Sequence, residues 1–179
     1  MTLESIVEAA VRIADRDGLE AVSIRRVAAD LGGRPMSLYS FVANKESLVA
    51  RMLDAVMAEA VLTELPGDWR AALLAIARRT IEVGARHPWI IAAGLQTRSP
   101  GPNTLAHALQ TLDALSGLGV DRDRAQSLAT AIDVYTIGFA TVSGIGLGAS
   151  ADDPVFVDGI TWILDGFERE IRRLGTSSD

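Results

Sequence analysis

At 179 residues and 49% apolar content, the chain can build one domain, or a small domain joined to a larger one. It contains no cysteine, which excludes a disulfide framework and any thiolate metal site, and a cytoplasmic protein is expected. Its formal net charge of −6 argues against indiscriminate nucleic-acid binding.

In chain order the pattern predicts helices and no convincing strand. The first helix spans residues 2–17, with Leu3, Ile6, Val7, Ala10, Val11 and Ala14 on one stripe, and Gly18 ends it. Thr2 leads straight into this amphipathic segment, with Glu4 and Glu8, so no signal peptide is expected. Ser23 is a natural N-cap for a short helix whose Ile24, Val27, Ala28 and Leu31 share a face. Gly32-Gly33 stops that helix and permits positive φ, and Pro35 opens the next, with a predicted body of residues 36–42. Asn44 caps a longer helix, about residues 45–63, striped by Leu48, Met52, Leu53 and Val56 and broken at Pro66-Gly67.

Asp68 then caps a helix that turns Trp69, Leu73, Ile76, Ala77, Thr80, Ile81 and Gly84 inward and ends near His87-Pro88. A short helix over residues 88–96 and a loop over 97–101 follow. Pro102 opens a helix with the predicted stripe Leu105, Leu109, Leu112 and Leu115, closed by Gly117 and Gly119. Asp121 caps the next helix, which aligns Leu128, Ile132, Tyr135, Thr136 and Phe139. Asp153-Pro154 caps the last, with Phe156, Ile160, Ile163, Leu164, Phe167, Ile171 and Leu174. The fold class is therefore all-α, with an N-terminal three-helix helix-turn-helix domain (residues 1–46) and a second helical domain (residues 47–179).

The helix-glycine turn-helix over residues 23–45 can lay its second helix in the DNA major groove. Arg25, Arg26, Arg34 and Lys45 face a single acid there, Asp30, so this stretch is basic within an acidic chain. Ser37 and Ser40 can donate to phosphate or a base edge, and Tyr39 offers a ring and a hydroxyl. An acidic body would be held away from DNA while this small face touches it.

The run LGGRPMSLYSFVANKESL resembles the signature of the TetR family of bacterial repressors, through Leu31-Gly32, Leu38-Tyr39, Asn44-Lys45-Glu46 and Leu48. Ile6, Ala9-Ala10, Gly18, Ser23, Val27 and Ala28 also match that family's first two helices. The resemblance implies a DNA-binding regulator, by family habit a repressor. It carries DNA contacts onto Arg25, Pro35, Met36, Ser37, Tyr39 and Lys45, beside which Arg34 and Ser40 are added from charge and chemistry. Gly33 departs from the usual valine of the turn, and Phe41 from a frequent polar aromatic, which removes that phosphate contact.

The same resemblance places an inducer cavity inside the C-terminal helices. Isolated polar groups on their apolar faces could orient a small molecule: Thr80, Asn103, His107, Gln110, Asp133, Tyr135 and Thr136, beside Ile132 and Phe139. The segment GDWRAALLAIARRT…RHPWI…GPN looks like the tetracycline-repressor branch, in which a histidine after helix six binds drug-chelated magnesium. Gly94 stands at that position, so neither a metal nor any cofactor is expected.

A homodimer is expected from the last two helices. The last carries Phe156, Ile160, Ile163, Leu164, Phe167 and Ile171, more apolar surface than one layer needs. The preceding helix offers Gly138, Ala140, Thr141, Gly144 and Gly148 for close approach. The expected partners are a double-stranded palindromic operator, a small-molecule inducer and a second copy of the chain, with no membrane.

Against an enzyme stand the absence of cysteine, the presence of only His87 and His107, and the lack of any H-E-x-x-H, G-x-S-x-G or P-loop pattern. Asp152-Asp153 reads as a helix cap rather than a catalytic pair. Residues 134–143 are rich in β-branched side chains, and Gly144-Ile-Gly146-Leu-Gly148-Ala149 matches a loose dinucleotide fingerprint. That motif needs a helix opening in the glycines of a βαβ unit, and none is available. The weakly charged run over residues 134–151 reads as core or interface, not as a membrane span. A helical ligand binder without DNA binding and, far behind, an enzyme remain the alternatives.

Overall fold

The computed structural model describes residues 1–144 and 150–175, which are helical with no strand among the described residues. The predicted caps set most of the helix starts. Thr2, read from the sequence as the first helical residue, is instead the N-cap of α1 (Leu3–Asp17) and closes a capping box with Ser5, its side chain accepting from the Ser5 amide at 3.2 Å. A 3-10 turn, Leu19–Ala21, which the periodicity did not indicate, leads to α2 (Ile24–Asp30), capped by Ser23 accepting from the Arg26 amide at 3.2 Å. Gly32 then takes φ +64°, the left-handed turn that a Cβ would strain.

The second helix of the pair is shorter than expected. α3 covers only Pro35–Leu38, and Tyr39, Ser40 and Phe41 continue as a turn in which the Phe41 and Val42 amides both reach back to the Leu38 carbonyl. Four residues between a proline and a turn cannot propagate a helix on their own, so burial holds this one: Leu38 is fully covered and Val42 nearly so. Asn44 caps α4 (Lys45–Ala60), accepting from the Ser47 amide at 2.7 Å.

The chain packs as two compact units. One holds Met1–Glu59 and Arg86–Ala106; the other holds Ala60–Ala85 and the residues from His107 onward. The first contains α1 to α4 (but for Ala60), α6 (Ile90–Gln96) and the opening turn of α7 (Pro102–Leu115). Ile6, Ala9, Ala10 and Ile13 of α1, Val27 and Ala28 of α2, Leu38 of α3, and Leu48 and Met52 of α4 are all buried in it. One carboxylate stitches α1 to the start of α6: Asp15 accepts from the Trp89 indole at 2.6 Å and pairs with His87 Nδ1 at 2.7 Å.

The second unit contains α5 (Trp69–Arg86, but for its last residue), the remainder of α7, α8 (Arg122–Gly144) and α9 (Pro154–Gly175). Asp68, Asp121 and Asp153 cap α5, α8 and α9 as the sequence predicts, each accepting a backbone amide at 2.8–2.9 Å. The core joins Leu73, Ala77 and Ile81 of α5 to Leu115 of α7, Leu128 and Ile132 of α8, and Phe156, Ile160 and Leu164 of α9. Residues 134–143 lie within α8, not in a strand. The glycine motif at 144–149 falls outside the described residues but for Gly144, the last residue of α8, whose surroundings are not described.

Two predicted faces are corrected. On α7 the buried residues are His107, Thr111 and Leu115, while Leu105 and Leu109 are 51% and 47% exposed. Their row is rotated by about half the helix from the inward one, and a leucine count alone does not say which row wins. On α9, Phe156, Ile160 and Leu164, expected between two chains, are buried in the chain's own core at 0–3% exposure. Ile163 and Phe167 pack partly against the same core, and Ile171 is half-buried. Among the described residues, no helix is long and apolar enough to cross a membrane.

Candidate nucleic-acid interface and ligand site

The recognition segment is built from the inside outward. Leu38 and Val42 point into the first unit, which turns the residues between and before them to solvent: Met36 is 77% and Tyr39 50% exposed, and Ser37 and Ser40 are exposed too. Pro35 at the first position of α3 is half-buried and fixes the backbone entry. Ser40 donates to the Ser37 carbonyl at 2.9 Å, which leaves its oxygen able to accept.

The bases of this head divide into held and free. Arg26 is held by Asp17, Arg12 by Asp30 at 3.1 Å, and Lys45 lies 3.6 Å from Glu20. Arg25 and Arg34 are exposed and, among the described residues, have no ion pair or hydrogen bond. Two unpaired guanidiniums, Arg25 in the first turn of α2 and Arg34 directly before α3, suit a phosphate backbone, because each can give a bidentate contact without first breaking an internal one. The sequence singled out both.

In the second unit most of the expected ligand contacts are already used internally. Gln110 exchanges two hydrogen bonds with the Leu62 backbone at 3.0 and 3.2 Å. Tyr135 donates to the Val155 carbonyl at 2.8 Å and stacks on Phe156 at 5.9 Å; Phe139 sits 5.1 Å from the same ring. Burial, aided by the Asp153 and Asp158 carboxylates, raises the Tyr135 hydroxyl above its ordinary range. This α8–α9 contact depends on Gly159, where a Cβ would lie 2.0 Å from the Tyr135 hydroxyl oxygen. Asn103 belongs to the first unit, where its amide is spent on Asp54. Ile132 is a core residue.

Two polar groups retain capacity. Thr80 donates to the Ile76 carbonyl at 3.0 Å, so His107 Nε2, 3.0 Å from the same hydroxyl, must carry the proton and donate to it. That tautomer leaves Nδ1 as an acceptor without a partner among the described residues, and burial lowers the His107 pKa, which keeps the ring neutral. Thr136 is 2% exposed, and its hydroxyl has no hydrogen-bond partner among the described residues.

On the face turned outward from this unit the sequence pointed to Gly138 and Thr141, while the exposed apolar side chains around them were missed. On α8, Val134, Ile137 and Val142 are 65%, 47% and 74% exposed, beside exposed Gly138 and Thr141. On α9, Val155 and Trp162 are 68% and 71% exposed. Their seven-residue spacing, with Asp158 and Gly166 on the same side, was the available signal.

The sequence model of the tetracyclin repressor-like C-terminal domain matches residues 63–153. The HTH-type transcriptional repressor DrrR1 of Streptomyces coeruleorubidus is 40% identical over 145 residues, covering 78% of this chain and 53% of that protein. An HTH-type transcriptional regulator of Saccharopolyspora erythraea is 32% identical over 146 residues, covering 81% and 62%. The chain thus spans between half and two thirds of the length of these curated relatives. In fold, apo ActR of Streptomyces coelicolor superposes with a TM-score of 0.84 at 21% identity, covering 97% of this chain and 98% of ActR. With the exposed helix-turn-helix and the matched C-terminal helices together in one polypeptide, this chain belongs to the tetracycline-repressor-like family of transcriptional regulators.

Proposed function

We propose that the chain is a ligand-responsive transcriptional repressor, working in the cytoplasm, that binds a palindromic operator as a homodimer and is released by a small, mainly apolar molecule. The observation that carries the reading is the head: Met36 and Ser37 of α3 and the following Tyr39 and Ser40 exposed, with Arg34 before α3 and Arg25 on α2 both unpaired among the described residues. Arg25, Arg34, Pro35, Met36, Ser37, Tyr39, Ser40 and Lys45 are the proposed DNA contacts. The names of the curated relatives, repressor and HTH-type regulator, support it.

The outward apolar strip of α8 and α9 supports the dimer. Val134, Ile137 and Val142 of α8 and Val155 and Trp162 of α9 are large apolar side chains left exposed on two neighbouring helices, the kind of surface an interaction covers. Two such helices from each chain make a four-helix contact with two-fold symmetry, the symmetry a palindrome requires.

The ligand reading rests on His107 Nδ1 and Thr136 Oγ1, an acceptor and a hydroxyl with no partner among the described residues, in a largely apolar bundle that also holds the unpartnered Arg78 Nε. An apolar molecule bearing a hydroxyl or amide N–H satisfies that chemistry. ActR has been solved with actinorhodin. Actinorhodin is therefore a reasonable first probe. A ligand of this class should raise the melting temperature and weaken operator binding together, because it must favour a conformation with misplaced heads. One that stabilises the protein and leaves operator affinity untouched would contradict the coupling.

A further inference from the structure

The start of α7 lacks a cap of its own. The Leu105 amide bonds to the Gly101 carbonyl at 2.9 Å, which makes Gly101 the N-cap residue, and glycine has no side chain to offer the orphan amides of the first turn. Pro102 has no amide hydrogen, so Asn103 and Thr104 are the amides that a cap must satisfy. Both go to one oxygen: Asp54 Oδ1, in the middle of α4, accepts them at 2.9 and 3.0 Å. The Asn103 side chain adds bonds to Asp54 Oδ2 at 3.2 Å and to the Asp54 carbonyl at 3.1 Å, and the Thr104 hydroxyl lies 3.3 Å from Oδ1.

Gly101 fits the same picture. A Cβ there would fall 2.3 Å from the Asp54 carboxyl and 2.7 Å from Asp54 Cβ, so the position must stay bare for the acid to arrive. A cis cap and Asp54 exclude each other sterically.

We infer that Asp54 is a positioning residue, an N-cap lent by α4 to α7 that makes the order of α7's first turn and the placement of α4 a single equilibrium. α4 begins at Lys45, directly after the recognition segment, so whatever moves α4 re-aims α3. Displacing the start of α7 must first release Asp54. This consequence for DNA rests on the DNA-binding reading above; the tie between the two helices does not.

Hydrogen exchange on the full chain tests the tie. Asp54→Ala and Gly101→Ala should each raise exchange in residues 103–106 and in residues 50–57 together, by about tenfold, the equilibrium change that losing a cap brings. Asp54→Asn keeps an accepting oxygen in place and should raise both by no more than about threefold. Faster exchange confined to residues 103–106, as for an ordinary cap, would overturn the inference, as would no change in either segment. A second arm measures affinity for a duplex that the wild-type chain enriches from a random DNA pool. Asp54→Ala and Gly101→Ala should bind it about tenfold more weakly, with Asp54→Asn close to wild type. Equal affinity in all four proteins would overturn the positioning role. If the wild type enriches no duplex, the DNA-binding reading falls, and the exchange arm alone decides the tie.

Discussion

Replacing Thr136 by valine exchanges one hydroxyl for a methyl group and keeps the branched shape of the side chain. The residue is 2% exposed on α8, and its hydroxyl is without a partner among the described residues. Such a buried group costs about 1–3 kcal/mol of desolvation that no hydrogen bond returns. Threonine and valine have similar helix propensities, so the backbone contributes little to the difference. Thr136→Val should therefore stabilise the fold by about 1–2 kcal/mol, which in a chain of this length raises Tm by roughly 2–8 °C. Thermal unfolding followed by circular dichroism or calorimetry reads this directly. The same variant should bind a hydroxyl-bearing ligand more weakly, because the group it loses is one that such a ligand would pair. A fall in Tm would refute the reasoning, since it would mean that the hydroxyl is already satisfied, for instance by a buried water.

Lys45→Ala should weaken binding to every DNA sequence and flatten the salt dependence by about one unit of slope; an unchanged slope removes Lys45 from the interface. Trp162→Glu places a charge on the outward strip without entering the core, so the chain should stay folded and sediment near its 19.0 kDa monomer mass. A dimer that survives this change would move the interface elsewhere. The neutral state of buried His107 makes stability depend on pH. Burial lowers its folded pKa below that of the unfolded chain, so the unfolded state takes up a proton first as pH falls. Its contribution is intact above about 6.5 and is lost progressively below that value. His107→Gln should reduce this acid-side loss in urea titrations at pH 7 and pH 5, and an identical pH dependence in both proteins would contradict the assignment.

Much of the fold could be read from local chemistry. Ser23, Asn44, Asp68, Asp121 and Asp153 each satisfy amides a few residues away, so the cap and its target sit together in the sequence. Gly32 and Gly119 take positive φ because a tight turn demands it, a property of the residue itself. What failed was the choice between faces. α9 has an inner row through Phe156, Ile160 and Leu164 and an outer pair, Val155 and Trp162, and both are apolar. Periodicity finds the helix in such a case but does not rank its sides. On α7 the inward row holds a histidine and a threonine, which a hydrophobic count passes over. Asn103 and Gln110 were read as free polar groups because their partners, Asp54 and Leu62, lie 49 and 48 residues away. Long-range pairing of this kind leaves no periodic trace.

The central claim is that α3, with Arg34 before it and Arg25 on α2, binds DNA. Selection from a random duplex pool tests it most directly, run in parallel on the wild-type chain and on Arg25→Ala/Arg34→Ala. The wild type should enrich a palindrome whose half-sites lie on one face of the duplex, about 34–36 Å or one helical turn apart. The double variant should lose that duplex while keeping the wild-type melting temperature, because both side chains are exposed and unpaired among the described residues. Enrichment of no sequence by the wild type, or an undiminished palindrome from the double variant, would contradict the account.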